Sequence, residues 1–346
     1  MSDELNPLAE VVVEAEIAAV PNKLPRIQRH NLLVPNLSSA GSSDSGVTFA
    51  GGAQGEKPRS LGRDAWDDMR HRPLFWVAAA VALVFILAAA FPQLFTSQDP
   101  KYCDLIYSRL PPRPGHIFGN DFQGCDIFAR TVYGARASIL VGLCTTAVAA
   151  LIGGLLGTLA GYLGGPLDAV LSRIADIFFS IPMLLAAMVA FAVLPVPPGA
   201  ALPRAVIQIV LVLAIFGWPN VFRLMRAAVI QTKPQEYVLA ARALGASPLR
   251  LIGSHIVPNS LTPLLVVSTI DLGGYIIAEA SLSFLGLGLP STIVAWGRDI
   301  SNASGLGYIR NAPFMLLFPA AALCLAVLAF IMLSEVVRDA LDPKSR

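Results

Sequence analysis

The sequence predicts an all-α membrane protein with six transmembrane helices, and three observations carry that reading. Of its 346 residues, 55% are hydrophobic and only 14% are charged. Ordinary soluble domains carry about 25% charged residues, so this chain has too little polar material to cover a water-facing surface. Long charge-free runs recur at Leu74–Phe95, Ala137–Leu167, Ile177–Pro203, Ala205–Phe222 and Asn311–Ser334. A spanning helix needs roughly 20 such residues, because each advances about 1.5 Å through a core about 30 Å thick. A sixth apolar run, about Pro263–Gly286, is interrupted only by Asp271 and Glu279.

The segment before the first span has no character of a secretory signal. Asp3, Glu4, Glu10, Glu14 and Glu16 occupy the place where a signal needs a basic region leading into an apolar core. Residues 37–55 are Ser/Gly-rich and aperiodic, so residues 1–56 read as a disordered cytoplasmic tail. Residues 57–95 form a juxtamembrane segment and the first span. With the amino terminus inside, 17 of the 25 Lys and Arg residues fall on the inner side, the direction of the positive-inside bias. Both termini are then cytoplasmic. Residues 96–136 form an extracytoplasmic loop, and its end places Ile127, Phe128, Val132 and Ala135 on one helical face. That pattern predicts an interfacial helix ahead of the second span. Residues 137–346 hold the remaining five spans.

Between the fourth and fifth spans lies "EYVLAARALGASPLRLIGSHIVPNS", residues 236–260. Pro234 suits a helix start. Tyr237, Val238, Ala241 and Leu244 follow at helical spacing, and Gly245 falls where a helix ends in a left-handed turn. Ser247–Pro248 reads as an N-cap and first-turn pair opening a second short helix, which Pro258 is expected to end or kink. The product is a cytoplasmic hairpin over residues 234–260. It either covers the ends of the spans or docks another protein.

Residue identity extends this reading. The hairpin resembles the EAA loop of ABC-importer permeases, with Ala240, Ala241, Gly245 and Pro258 in register, while Leu239, His255 and Val257 depart from the pattern. "YVLAARALGAS" and "HIVPN" resemble the version in the dipeptide/oligopeptide (and nickel) branch. So do "FGNDFQGCDIFARTVYGAR", "GYLGGPLDAVLSRIADIFFSIP", "EASLSFLGLG" and "WGRDI", in that branch's order, from about residue 70 onward. The resemblance is to a C-type permease subunit with the type I ABC-importer fold. It implies an ATPase-coupling surface made by Glu236, Tyr237, Ala240, Ala241, Arg242, Gly245, Ala246, Ser247 and Pro258. It also implies a second (B-type) permease, two cytoplasmic ATPases, an extracytoplasmic solute-binding protein and a peptide or nickel cargo. ATP and Mg would be bound by the ATPases, with no cofactor on this chain.

Several polar residues need separate weighing. A carboxylate inside a membrane costs on the order of 3 kcal/mol, so Asp271 and Glu279 are expected to face protein or water. About 80° separates them on a helix, so one stripe could hold both. They either line the substrate pathway, meeting a peptide ammonium, or pack against the partner permease. Arg173 and Asp176 have the spacing of an ion pair, with Asp168 nearby. Cys103 and Cys125, both in the outer loop, either form a disulfide or remain thiols; Cys144 and Cys324 fall in spans. The four His show no metal-ligand spacing. No phosphate loop or hydrolase motif is present, so the chain is not expected to be an enzyme. Its near-neutral charge excludes nucleic acid. An ion-gradient carrier, with the two carboxylates as proton sites, is the rival function, and it leaves the hairpin without a purpose.

Overall fold

The computed structural model describes residues 61–341; the tail assigned to 1–56 lies outside them. A short helix α1 (Leu61–Arg70) precedes α2 (Pro73–Ala90), an apolar rod opened by a first-turn proline. Arg72, between the two, pairs with Asp68 and with Asp339 near the chain's far end, both at 2.9 Å. After an irregular loop, α3 runs over Ile127–Leu163. It starts on Asp126, whose carboxylate accepts from the Ala129 N–H at 2.7 Å. It stops at Gly164, where φ is +67°, a conformation open to glycine without a Cβ clash.

The predicted interfacial helix is therefore the first two turns of α3. Ile127, Val132 and Ala135 are buried, so the apolar face that suggested an interfacial helix is turned to protein. The boundary drawn at residue 136 falls within a continuous helix.

The third span is broken. Helices α4 (Gly165–Ser180) and α5 (Met183–Val193) meet at 81°. Ile181 between them is extended (φ −95°, ψ 120°), as a residue before proline prefers, and Pro182 opens α5. Helix α6 covers Leu202–Thr232 and contains Pro219, α7 covers Glu236–Ala243, and α8 covers Pro248–Phe284. Two short helices, α9 (Trp296–Ala303) and α10 (Leu306–Asn311), lead to α11 (Phe314–Leu341). Among the described residues five helices are long and apolar enough to cross a membrane alone, and the bent pair, counted as one span, brings the number to six.

Pro258 does not end the helix it lies in. The five residues before Val257, Ile252–Ile256, form a π turn, and the α-helix resumes through Pro258. A proline removes one backbone bond and crowds the carbonyl four residues earlier. The wider π turn placed just there accommodates both faults.

Packing centres on α3 and α6. A Cβ built on Gly153, Gly157 or Gly161 would lie 2.6, 2.6 and 2.9 Å from the carbonyl oxygens of Trp218, Phe222 and Arg226. The two backbones touch along a small-xxx-small strip, the device that gives membrane helices close van der Waals contact where apolar burial offers no drive. Helix α8 joins through Gly142, where an added Cβ would lie 2.5 Å from the Ile276 side chain. A buried cluster including Val141, Phe191, Ile209, Leu213 and Leu282 fills the space between α3, α5, α6 and α8.

Replacing Gly157 with Leu must push α6 off α3, because the obstacle is backbone. The expected result is a clear fall in the thermal midpoint of the purified complex and in its yield. Gly154→Ala, whose Cβ would meet only the Leu264 side chain at 3.6 Å, should leave both unchanged. Equal tolerance of the two variants would show that the strip is not a tight contact.

Candidate functional site

At one end of the bundle, α7 and the start of α8 make an exposed elbow. The Ala246 N–H donates to the Ala241 carbonyl at 3.1 Å and the Gly245 N–H to Arg242 at 3.0 Å. These are the two bonds of a Schellman turn. Gly245 has φ +83° and would meet no atom with an added Cβ. Its requirement is conformational, since L residues are strained there. The apolar contact that accompanies such turns is present: Ala241 and Ala246 pack on Met225, Val229, Val238, Leu251 and Ile256. Ser247 then caps α8, accepting from the Arg250 N–H at 3.4 Å.

The elbow's inner face is thus fixed to the bundle, while its tip is bare. Leu244 is 89% exposed and Leu249 83%. Glu236, Tyr237, Ala240, Arg242, Ser247 and Pro258 are also exposed. Helical spacing grouped Leu244 with Tyr237, Val238 and Ala241, but it stands clear of the buried Val238 because the Schellman turn carries the chain away after Ala243. The helix itself begins at Glu236, two residues beyond Pro234.

Three cross-helix links tie the elbow end together. The Lys233 ammonium donates to the Tyr162 carbonyl at the end of α3, at 2.7 Å. Arg226 grips Asp168 with two bonds, at 2.5 and 2.7 Å. Arg223 pairs with Asp176 at 2.8 Å and lies 3.9 Å over the Phe179 ring. The expected Arg173–Asp176 pair does not form. Helical spacing permits such a pair, but α6 presents an arginine to the same carboxylate, as it does to Asp168.

Midway along the bundle, the break between α4 and α5 opens a cavity of about 370 Å³ against α6 and α8. Asp271 lies on its wall, and the Asn220 amide donates to both of its carboxylate oxygens at 3.1 Å. Glu279 is elsewhere. It is fully buried, with the Ser283 hydroxyl donating to it at 2.7 Å and the Leu289 N–H donating to Ser283 at 3.2 Å. The angular offset between the two carboxylates is enough to send them to different surroundings, so of the two readings open to them Glu279 takes the packed one and Asp271 alone lines the cavity. Asn220 and the aromatic wall went unnoticed in the sequence; an amide inside an apolar run is the signal that could have found Asn220.

The opposite end is a cap. Cys103 and Cys125 are joined in a disulfide. Asp121 accepts from the Gln123 and Cys125 N–H groups at 2.8 and 2.9 Å, so the acidic residues of "GNDFQGCD" serve as a turn former and, at Asp126, a helix cap. Arg130 bonds Asp299 of α9, through Nε at 3.1 Å, and approaches Asp121 at 3.7 Å. Burial pushes both carboxyls above the ordinary aspartate value. Arg130 is the largest opposing influence on Asp299; on Asp121 the Cys125 N–H opposes more strongly. The Trp296 indole donates to the Thr131 carbonyl at 2.8 Å. Among the described residues no group of His, Cys, Asp and Glu could hold a metal ion.

An exposed elbow fixed to spans, a broken helix and a largely apolar, partly aromatic cavity carrying one carboxylate at mid-bundle define a multi-pass membrane transport component. Residues 153–346 match the family described as the inner membrane component of binding-protein-dependent transport systems. Residues 60–112 match the N-terminal transmembrane domain of oligopeptide transport permease C. The chain is 37% identical over 291 residues to the oligopeptide transport system permease protein OppC of Bacillus subtilis (strain 168), covering 84% of this chain and 92% of that one. It is 38% identical over 285 residues to the dipeptide transport system permease protein DppC of Alkalihalophilus pseudofirmus, covering 82% and 90%. It is 38% identical over 287 residues to the glutathione transport system permease protein GsiD of Salmonella paratyphi A, covering 83% and 91%. A solved chain of the inward-facing MetNI methionine ABC transporter overlays 60% of this chain and 95% of its own length, at 21% identity and a TM-score of 0.46. The chain belongs to the binding-protein-dependent permease family. It is the membrane component of an ABC importer and not an enzyme; in this family ATP hydrolysis lies in separate subunits.

The cap disulfide closes a loop of sequence separation 22, worth about 3 kcal/mol in the loop-entropy model. Cys103→Ser with Cys125→Ser should lower the thermal midpoint of the purified protein, and mild reductant should do the same to the parent alone. An unchanged midpoint in both cases would remove the stabilising role.

Proposed function

We propose that this chain is one of two permease subunits of an ATP-driven peptide importer and that its elbow is the docking point for a cytoplasmic ATPase. The observation that carries the reading is the elbow itself. Its turn is rigidly made, its inner face is packed on α6 and α8, and its tip offers exposed leucines beside small residues. Helix α8 then continues from the elbow through the π turn to Asp271. A displacement of the tip is therefore delivered along one helix to the middle of the bundle.

The names of the relatives support peptides as cargo. The family support extends to a second permease, a pair of ATPases and a solute-binding protein. ATP and Mg belong to the ATPases. Closure of the ATPases can shift the permease equilibrium only if the docked elbows occupy different positions in its two states. The elbow end also carries Arg72, Arg223, Arg226, Lys233, Arg242 and Arg250, which supports placing that end and both termini in the cytoplasm.

Gly245→Val puts a β-branched residue at a positive φ, a strain of about 1–2 kcal/mol or more. The expected outcome is an importer that assembles but loses binding-protein-stimulated ATP hydrolysis and peptide uptake. Normal uptake by that variant defeats the coupling role. Cross-links from Ala240→Cys should reach the ATPase in the assembled complex.

A further inference from the structure

The geometry points to the Asp271 cavity as a transient subsite for a primary ammonium group of the translocated peptide; this rests on the peptide reading above. A carboxylate at mid-membrane is expensive and is ordinarily paired with a positive charge or with water. Within this chain Asp271 has a neutral partner, the Asn220 amide, which holds both oxygens at 3.1 Å and so fixes the carboxylate toward the cavity. Among the described residues no lysine or arginine lines the space. The nearest arginines along α6 are committed, Arg223 to Asp176 and the Phe179 ring, Arg226 to Asp168.

The remaining wall is suited to a cation. Phe178, Phe216 and Tyr275 line it, with Phe179 already facing the Arg223 guanidinium, and aromatic faces attract ammonium groups. Helix α4 ends there, its last turn contributing Phe178 and Phe179, so the negative end of its dipole adds to the carboxylate. At about 370 Å³ the cavity is large enough for an amino-acid residue and too open to trap one. That combination suits a waypoint, which must be favourable to enter and easy to leave.

The test uses the assembled importer with Cys144 and Cys324 replaced by Ala, leaving the cap disulfide intact. Gly274 lines the cavity and an added Cβ there meets no atom within 4 Å, so Gly274→Cys supplies a reporter thiol. Small methanethiosulfonates of opposite charge should label it unequally, the cationic reagent faster by about tenfold or more. Adding Asp271→Asn should abolish the preference. In proteoliposomes Asp271→Asn should cut uptake of a free-amine dipeptide about tenfold while ATP hydrolysis stimulated by the binding protein persists, and Asp271→Glu should restore most of the uptake. Equal labelling by the two reagents would mean that a cation from the partner permease already neutralises Asp271, and the inference falls. Unchanged uptake by Asp271→Asn overturns it as well. If the parent complex imports no peptide yet keeps the charge preference, the peptide reading fails, and the cavity's attraction for cations stands.

Discussion

Backbone contact between α3 and α6 is the constraint on which the rest of the molecule depends. Three glycines at four-residue spacing bring the helices close enough for carbonyl oxygens of α6 to fill the space where side chains would sit. In lipid, apolar surface gains nothing by leaving apolar solvent, so association relies on such close fit. Once the pair is locked, α6 can deliver Asn220, Arg223, Arg226 and Lys233 to the cavity, to α4 and to the end of α3. A looser pair would lose all four placements together.

The polar connections follow a depth gradient. At the elbow end, charged pairs bridge helices where water can share their solvation, and pairs such as Arg223–Asp176, roughly half exposed, contribute modestly to stability. At mid-bundle the acidic groups meet uncharged donors instead, the Asn220 amide across helices at Asp271 and the Ser283 hydroxyl within α8 at Glu279. In the cap, Arg130 bridges the loop after α2 to α9 through Asp121 and Asp299, with side chains only 11–14% exposed. The cap is further held by the disulfide and by the Trp296 indole. The two ends of α8 consequently differ: one is anchored under the cap, and the other carries the elbow.

Much of this was legible in the sequence, for identifiable reasons. The spans were visible because lipid demands unbroken apolar length. The elbow was visible because Gly245 and Ser247–Pro248 are local turn chemistry, which needs no tertiary partner to be read. What escaped detection depended on partners distant in the chain. Asp176 and Asp168 chose arginines of α6 over the near neighbour Arg173. Pro258 looked like a stop signal, yet packing of Leu251 and Ile256 on α6 keeps the helix going through a π turn. The break at Ile181–Pro182 was encoded by the proline but hidden inside an apolar run long enough to pass as one span.

The bare leucines at the elbow have a consequence for the isolated subunit. Leu244 and Leu249 stand almost wholly in water, and covering each is worth about 1.5–3 kcal/mol. If the elbow docks a motor as proposed, a copy of this chain that lacks one keeps both leucines uncovered on a single turn, and that cost alone favours the assembled over the solitary subunit.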